Sequence, residues 1–204
     1  MKLSIIAKKG LSIATTLLLC SSAHSQDLSL LEFNEMRLKK TKAAMTILGS
    51  WSAANIVSGA ILQANTTREK KYFHQMNAIW NGVNLAIAGL GYLNARKARA
   101  ADFNLTKSIK EHHKFQKILL FNAGLDIGYM VGGLYLMERG KNQSEQGDRD
   151  QMRGFGKSII LQGGFLFVFD LITAWQLSKD NPKLHNLLNS MSFDGQRIGF
   201  SMRF

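Results

Sequence analysis

One proline and one cysteine occur in 204 residues, and 14 acidic side chains stand against 26 basic ones. The scarcity of proline leaves long helices uninterrupted, and with 18 glycines it argues against a loop-rich all-β fold. Charged residues make up only 20% of the chain. Several chemical signatures are missing altogether. There is no zinc-ligand spacing, no HExxH string, no Ser-His-Asp order and no phosphate-loop glycine pattern followed by lysine. No metal and no cofactor is expected, and nothing points to an enzyme. The net charge of +12 suggests an anionic partner. No RNP-like string or basic zipper accompanies it, so nucleic acid is not the expected one. The basic residues flank apolar segments, where anionic lipid headgroups are the nearer partner.

The N-terminus has the pattern of a secretory signal peptide, residues 1–25. Lys2, Lys8 and Lys9 form a basic start, Leu11 to Cys20 a short apolar run, and Ala23 and Ser25 the small residues before a cut at Gln26. The rival reading is an uncleaved anchor, for which the apolar run is short; if the leader is cleaved, Cys20 leaves with it and the mature chain has no thiol for a disulfide or a metal. Residues 26–42 are amphipathic: Leu28, Leu31, Met36 and Leu38 share a broad face with Phe33 at its edge. This segment reads as a surface helix at the membrane or docked on a bundle.

Four charge-poor segments follow, 43–64, 75–95, 118–137 and 158–178. Each is of the length that spans a hydrocarbon core of about 30 Å at 1.5 Å per residue. Soluble bundle helices of this length carry a charged stripe, and these do not. The expected fold class is all-α: a four-helix transmembrane bundle, up-down-up-down, with an N-terminal amphipathic helix and a short C-terminal tail, 179–204. Within that tail, NPKLHNLLNSM reads as a short helix. The last residues alternate like a strand, with Ile198, Phe200, Met202 and Phe204 on one face, but a lone strand closes no barrel. The expected location is the bacterial inner membrane, reached through the secretory signal. The orientation signals conflict: the signal peptide puts residue 26 outside, whereas the lysine and arginine content of the loops favours the reverse.

The second segment holds Asn77, Asn81 and Asn84. At roughly 100° per residue they share one face of about 120° with His74 and Trp80, while Ile79, Val83, Leu90 and Leu93 lie off it. Asn55 lies mid-way in the first segment, Asn122 and Asp126 stand one turn apart in the third, and Gln162 and Asp170 are in the fourth. In an antiparallel bundle Asn55, Asn84, Asp126 and Asp170 are expected to share one layer near the membrane centre. No lysine or arginine lies inside any of the four segments. Two carboxylates there cannot both ionise cheaply, so at least one must hold a proton, accept several hydrogen bonds or meet a cation.

Small residues recur every fourth position as Gly124, Gly128 and Gly132, and as Ala78, Gly82 and Ala86, two ridges expected to bring helices together. His112 and His113 are adjacent, diverge on a helix and read as an exposed basic face.

The strings YFHQMNAIWNGVNLAIAGLG, FNAGLDIGYMVGG and LQGGFLFVFD resemble an uncharacterised family of small bacterial four-helix integral membrane proteins, over roughly residues 30–178. The resemblance implies a signal-bearing four-span protein patterned at His74, Asn77, Asn81, Asn84, Asn122, Asp126, Gln162 and Asp170, and no activity. Three functions are open. The first is a structural or interaction role for the polar seam, with a homo-oligomer or another membrane protein as partner. The second is a small transporter or proton- or cation-binding protein using the paired carboxylates. A membrane enzyme is the third.

Overall fold

The computed structural model describes residues 2–191, with side chains over 29–189. The expected leader lies outside the residues whose side chains are described, and the alternating segment 193–204 lies outside the described residues. The chain is all-α: α1 (Lys2–Asn65), α2 (Arg68–Lys97), a single 3-10 turn at Ala100–Asp102, α3 (Leu105–Lys141), α4 (Gln146–Ser178) and α5 (Asn181–Met191).

The helices stop where local chemistry stops them. Only two residues, Thr66 and Thr67, separate α1 from α2, and the reversal is completed by Arg68 at φ 55°. Arg96 and Lys97 close α2, where positive charge suits the C-terminal end of the helix dipole; at the other end Glu69 stands among the basic Arg68, Lys70 and Lys71. Asn104 caps α3, its side chain accepting from the Lys107 amide at 2.9 Å.

α1 packs along α2, and α3 along α4, as two antiparallel hairpins. The hairpins join mainly through α2 against α4, and α2 and α3 hardly touch. Glycine sets the closest approaches. A Cβ on Gly133 would lie 2.7 Å from the Gly156 carbonyl, so α3 and α4 meet backbone to backbone there. Gly154 lets α4 reach the first turn of α2 in the same way.

The expected ridges do not make these contacts. A Cβ added at Gly82, Gly124, Gly128 or Gly132 would meet nothing within 4 Å, and Ala86 is exposed. Ala78 alone of the two ridges packs on a neighbouring helix, against Gly59 of α1. The spacing is right for a close contact, but those faces of α2 and α3 point away from the bundle.

The amphipathic segment 26–42 is not a separate surface helix either. The buried positions of α1 run in one helical stripe through Phe33, Arg37, Ala44, Leu48, Ser52 and Asn55, with no break at residue 42. From Ser29 to Asn65 the helix has 37 residues. At 1.5 Å per residue that exceeds a hydrocarbon core by roughly 25 Å. The excess forms a cap at one end of the bundle. There Phe33, an edge residue by the sequence pattern, packs at the centre with Leu184 and Leu187 of α5.

The interior is polar and the exterior apolar. Asn77, Asn81, Ser52, Ser158 and Gln162 are buried, while Val57, Ile79, Val83, Leu90, Phe121, Val131 and Ile172 are exposed. Water would penalise that arrangement and lipid favours it. Among the described residues three helical stretches are long and apolar enough to cross a membrane: Ser29–Asn65, Leu105–Lys141 and Gln146–Asn189, the last taking in α4 and most of α5. α2 has the length, but its amides and its basic first turn lower its hydropathy.

Candidate functional site

The polar residues separate into two groups along the bundle. In the first, Gln162 of α4 is the hub. Its Nε2 donates to Asn77 Oδ1 at 2.9 Å and to Asn55 Oδ1 at 3.3 Å, and its Oε1 accepts from Trp51 Nε1 at 2.9 Å. Ser158 Oγ donates to Asn77 Oδ1 at 2.7 Å, and Asn81 Nδ2 donates to the Asn77 carbonyl at 2.9 Å. The Trp51 ring stacks on Phe165 with centroids 3.9 Å apart and planes within 6°. Three helices are thus tied by the side chains of Trp51, Asn55, Asn77, Ser158 and Gln162, while Asn81 Oδ1 beside them is buried without a partner. Ser158 and Trp51 escape a reading by polar residue type, because serine is common in membrane helices and tryptophan passes for an interface anchor. The signal was their register with Gln162 and Asn55, one helical turn away in each case.

The second group surrounds a cavity of about 320 Å³ between α2 and α3, with α4 behind it. Asn84 of α2, Asn122 and Asp126 of α3 and Asp170 of α4 supply its polar surface, and Trp80 and Tyr129 cross edge to face at 5.0 Å. The remaining wall is apolar, including Leu48, Val83 and Phe169. Asp126 is 2% exposed and Asn84 6%. Asp126 Oδ2 and Asn84 Nδ2 are sealed from solvent without a hydrogen-bond partner. Among the described residues neither carboxylate takes part in a hydrogen bond or an ion pair.

Asn84, Asp126 and Asp170 line this cavity together, with Asn122 beside them. Asn55 does not join them; it belongs to the Gln162 network with Asn77. A shared layer assumes helices that begin and end with the segments 43–64 and 75–95, and α1 and α2 both extend past those limits. His74 lines neither group and meets Phe73 edge to face. No cluster of three or more His, Cys, Asp or Glu side chains suited to a metal occurs among the described residues.

A third polar cluster lies in the cap. His112 is 1% exposed, which overturns its reading as an exposed basic residue. The buried positions of α3 step through Ser108, His112, Gln116, Leu119, Ala123 and Asp126, each three or four residues after the last. That stripe makes His112 an inward residue and sends His113 to the side. His112 Nε2 meets Asn181 Oδ1 at 3.0 Å, and Gln116 Nε2 donates to the same oxygen at 3.2 Å. Burial holds the His112 imidazole below its ordinary pKa, with the Asn181 bond and Asp180 opposing and His113 and Arg37 adding to the depression. The Arg37 guanidinium lies 4.5 Å over the Phe103 ring and is pushed down by burial, partly offset by Glu111. Lys40 pairs with buried Asp180 at 2.5 Å and ties α1 to the start of α5.

An all-α chain with apolar long helices outside and amides and carboxylates inside is a helical membrane protein with buried polar residues. The model of a family of unknown function, DUF6992, matches residues 47–171, more than half of the chain, and the chain belongs to that family. The match contains both polar groups of the bundle and ends before α5. No curated protein and no solved structure matches the chain.

Proposed function

We propose that this is a four-span protein of the bacterial inner membrane, inserted through a secretory signal, that holds a proton or a monovalent cation between Asp126 and Asp170. One observation carries the reading. Two carboxylates without a hydrogen-bond partner face one cavity in the apolar part of the bundle, beside an idle Asn84 amide. Unpaired ionisable groups in lipid are costly and are retained where a charge is handled. No catalysis is assigned to the protein.

In this reading α2 crosses the membrane with the others. Its asparagine face is covered by α1 and α4, and its exposed face is apolar. Basic loops at both ends suit anionic headgroups.

A structural role fits the other polar group. The Gln162 network leaves Asn55 and Asn77 with partners and fixes the register of α1, α2 and α4, which is what polar contacts between membrane helices ordinarily achieve. On that view the same frame serves oligomer or partner assembly, and the carboxylates affect stability only.

Reconstitution separates the two. The protein in liposomes is tested for proton, sodium and potassium flux beside Asp126→Asn and Asp170→Asn. Flux or proton uptake that both substitutions abolish, with helicity and monodispersity retained, supports the cation reading. Its absence in the parent protein leaves the structural one.

A further inference from the structure

The cavity differs from a site for a bare or hydrated metal ion. Its wall is mostly hydrocarbon, and its side-chain oxygens are limited to two carboxylates, two amides and the Tyr129 hydroxyl. A hydrated cation would leave most of its water against apolar side chains. An ammonium group carried on an apolar body matches both halves of the lining. The carboxylates of Asp126 and Asp170 offset its charge, and aromatic faces such as Trp80 and Tyr129 add attraction for it. No lysine or arginine within the four charge-poor segments supplies a competing internal cation.

The way in is lateral. α2 and α3 hardly pack on one another, so the cavity lies in the gap between the two hairpins. Its rim is formed by Ile79, Val83 and Ile87 of α2 and Leu125 of α3, all exposed where lipid chains would lie; Val83 is 63% exposed. At about 320 Å³ the space is at the lower end of small-molecule sites.

We infer that the gap between α2 and α3 is a binding site for a small lipophilic organic ammonium ion, which enters from the bilayer and places its nitrogen between Asp126 and Asp170. The inference rests on the cation reading of those carboxylates and names the class of cation.

Equilibrium dialysis of the full chain in phosphatidylcholine nanodiscs tests it. The probe is radiolabelled benzyltrimethylammonium, with neopentylbenzene as the uncharged molecule of the same shape. Saturable binding of one ammonium per chain is expected, weakened on the order of tenfold or more in Asp126→Asn/Asp170→Asn. Neopentylbenzene should bind no better to the parent than to that variant. Val83→Trp, which fills the rim and leaves both carboxylates in place, should also weaken the ammonium, and this variant decides the matter if the double variant does not fold. The inference is overturned if no saturable ammonium binding occurs, if the neutral molecule competes equally, or if ammonium affinity survives either substitution. Proton or sodium uptake through the two carboxylates without ammonium binding removes this inference and leaves the proposed function standing. Loss of both removes both.

Discussion

At the scale of single residues, Gln162 and His112 show how a polar side chain behaves once it is enclosed. Gln162 makes three interhelical hydrogen bonds, and such contacts average about 0.6 kcal/mol each in membranes. Gln162→Leu should therefore cost about 2 kcal/mol, measurable as a shift in the unfolding midpoint in mixed micelles. A double-mutant cycle with Asn77→Leu should return a positive coupling. His112 responds to pH. Its folded pKa lies below its ordinary 6.5, so the unfolded chain binds the proton more readily. The stabilisation is complete above about pH 6.5 and is lost as the pH falls below it. Thermal unfolding recorded from pH 8 to pH 5 should show that decline, and His112→Gln should flatten it. The asparagine stripe of α2 was legible in the chain because three amides at helical spacing define a face without further information. The inward turn of His112 was less so. Its neighbour is also a histidine and lysines surround the pair, so a solvent-facing reading competes until the stripe from Ser108 to Asp126 is traced.

At the scale of elements, the four apolar segments lie within the four long helices, and the differences lie at their ends and faces. Charge-poor windows mark where lipid could surround a helix, and a helix continues past them while its backbone bonds and packing partners continue. That is why α1 carries its buried stripe from Phe33 to Asn55 across the boundary at residue 42. The small-residue ridges face away from the bundle for a related reason: spacing within one helix does not say which face the neighbour covers. The contrast is measurable. Gly156→Val should separate α3 from α4 and destabilise by about 1–3 kcal/mol. Gly128→Ala, which meets nothing within 4 Å, should destabilise by no more than about 0.5 kcal/mol. Both can be compared in one denaturation series in detergent.

For the whole molecule, the two hairpins enclose a polar interior that can be assembled only with all four long helices present. If α2 crosses the bilayer, the α1–α2 turn and the α3–α4 loop share one side, opposite the α2–α3 connection. On a Cys20→Ser background, single cysteines at Thr66 and Ser144 should then react with a membrane-impermeant maleimide from the same side, and one at Arg99 from the other. Equal labelling of all three from one side would remove the four-span arrangement. The joint position of Asn84, Asp126 and Asp170 was within reach of an antiparallel bundle drawn from segment lengths alone. The division of the polar seam into a bonded frame and an open cavity was not, because it depends on where Gln162 meets Asn55 and Asn77 in three dimensions.

The dependence of that frame on α4 has a consequence for synthesis. Asn55 and Asn77 leave the ribosome in the first hairpin, and the Gln162 and Ser158 groups that bond to them are made some eighty or more residues later. Until then the nascent hairpin carries bare amides on its inner face, and the low hydropathy of α2 gives it little hold on the bilayer by itself. If α2 crosses the bilayer, the early half of this chain should therefore depend on the insertion machinery until its last long helix arrives. A chain truncated at residue 141 should accordingly stay bound to the insertase or be degraded, while the full chain is released.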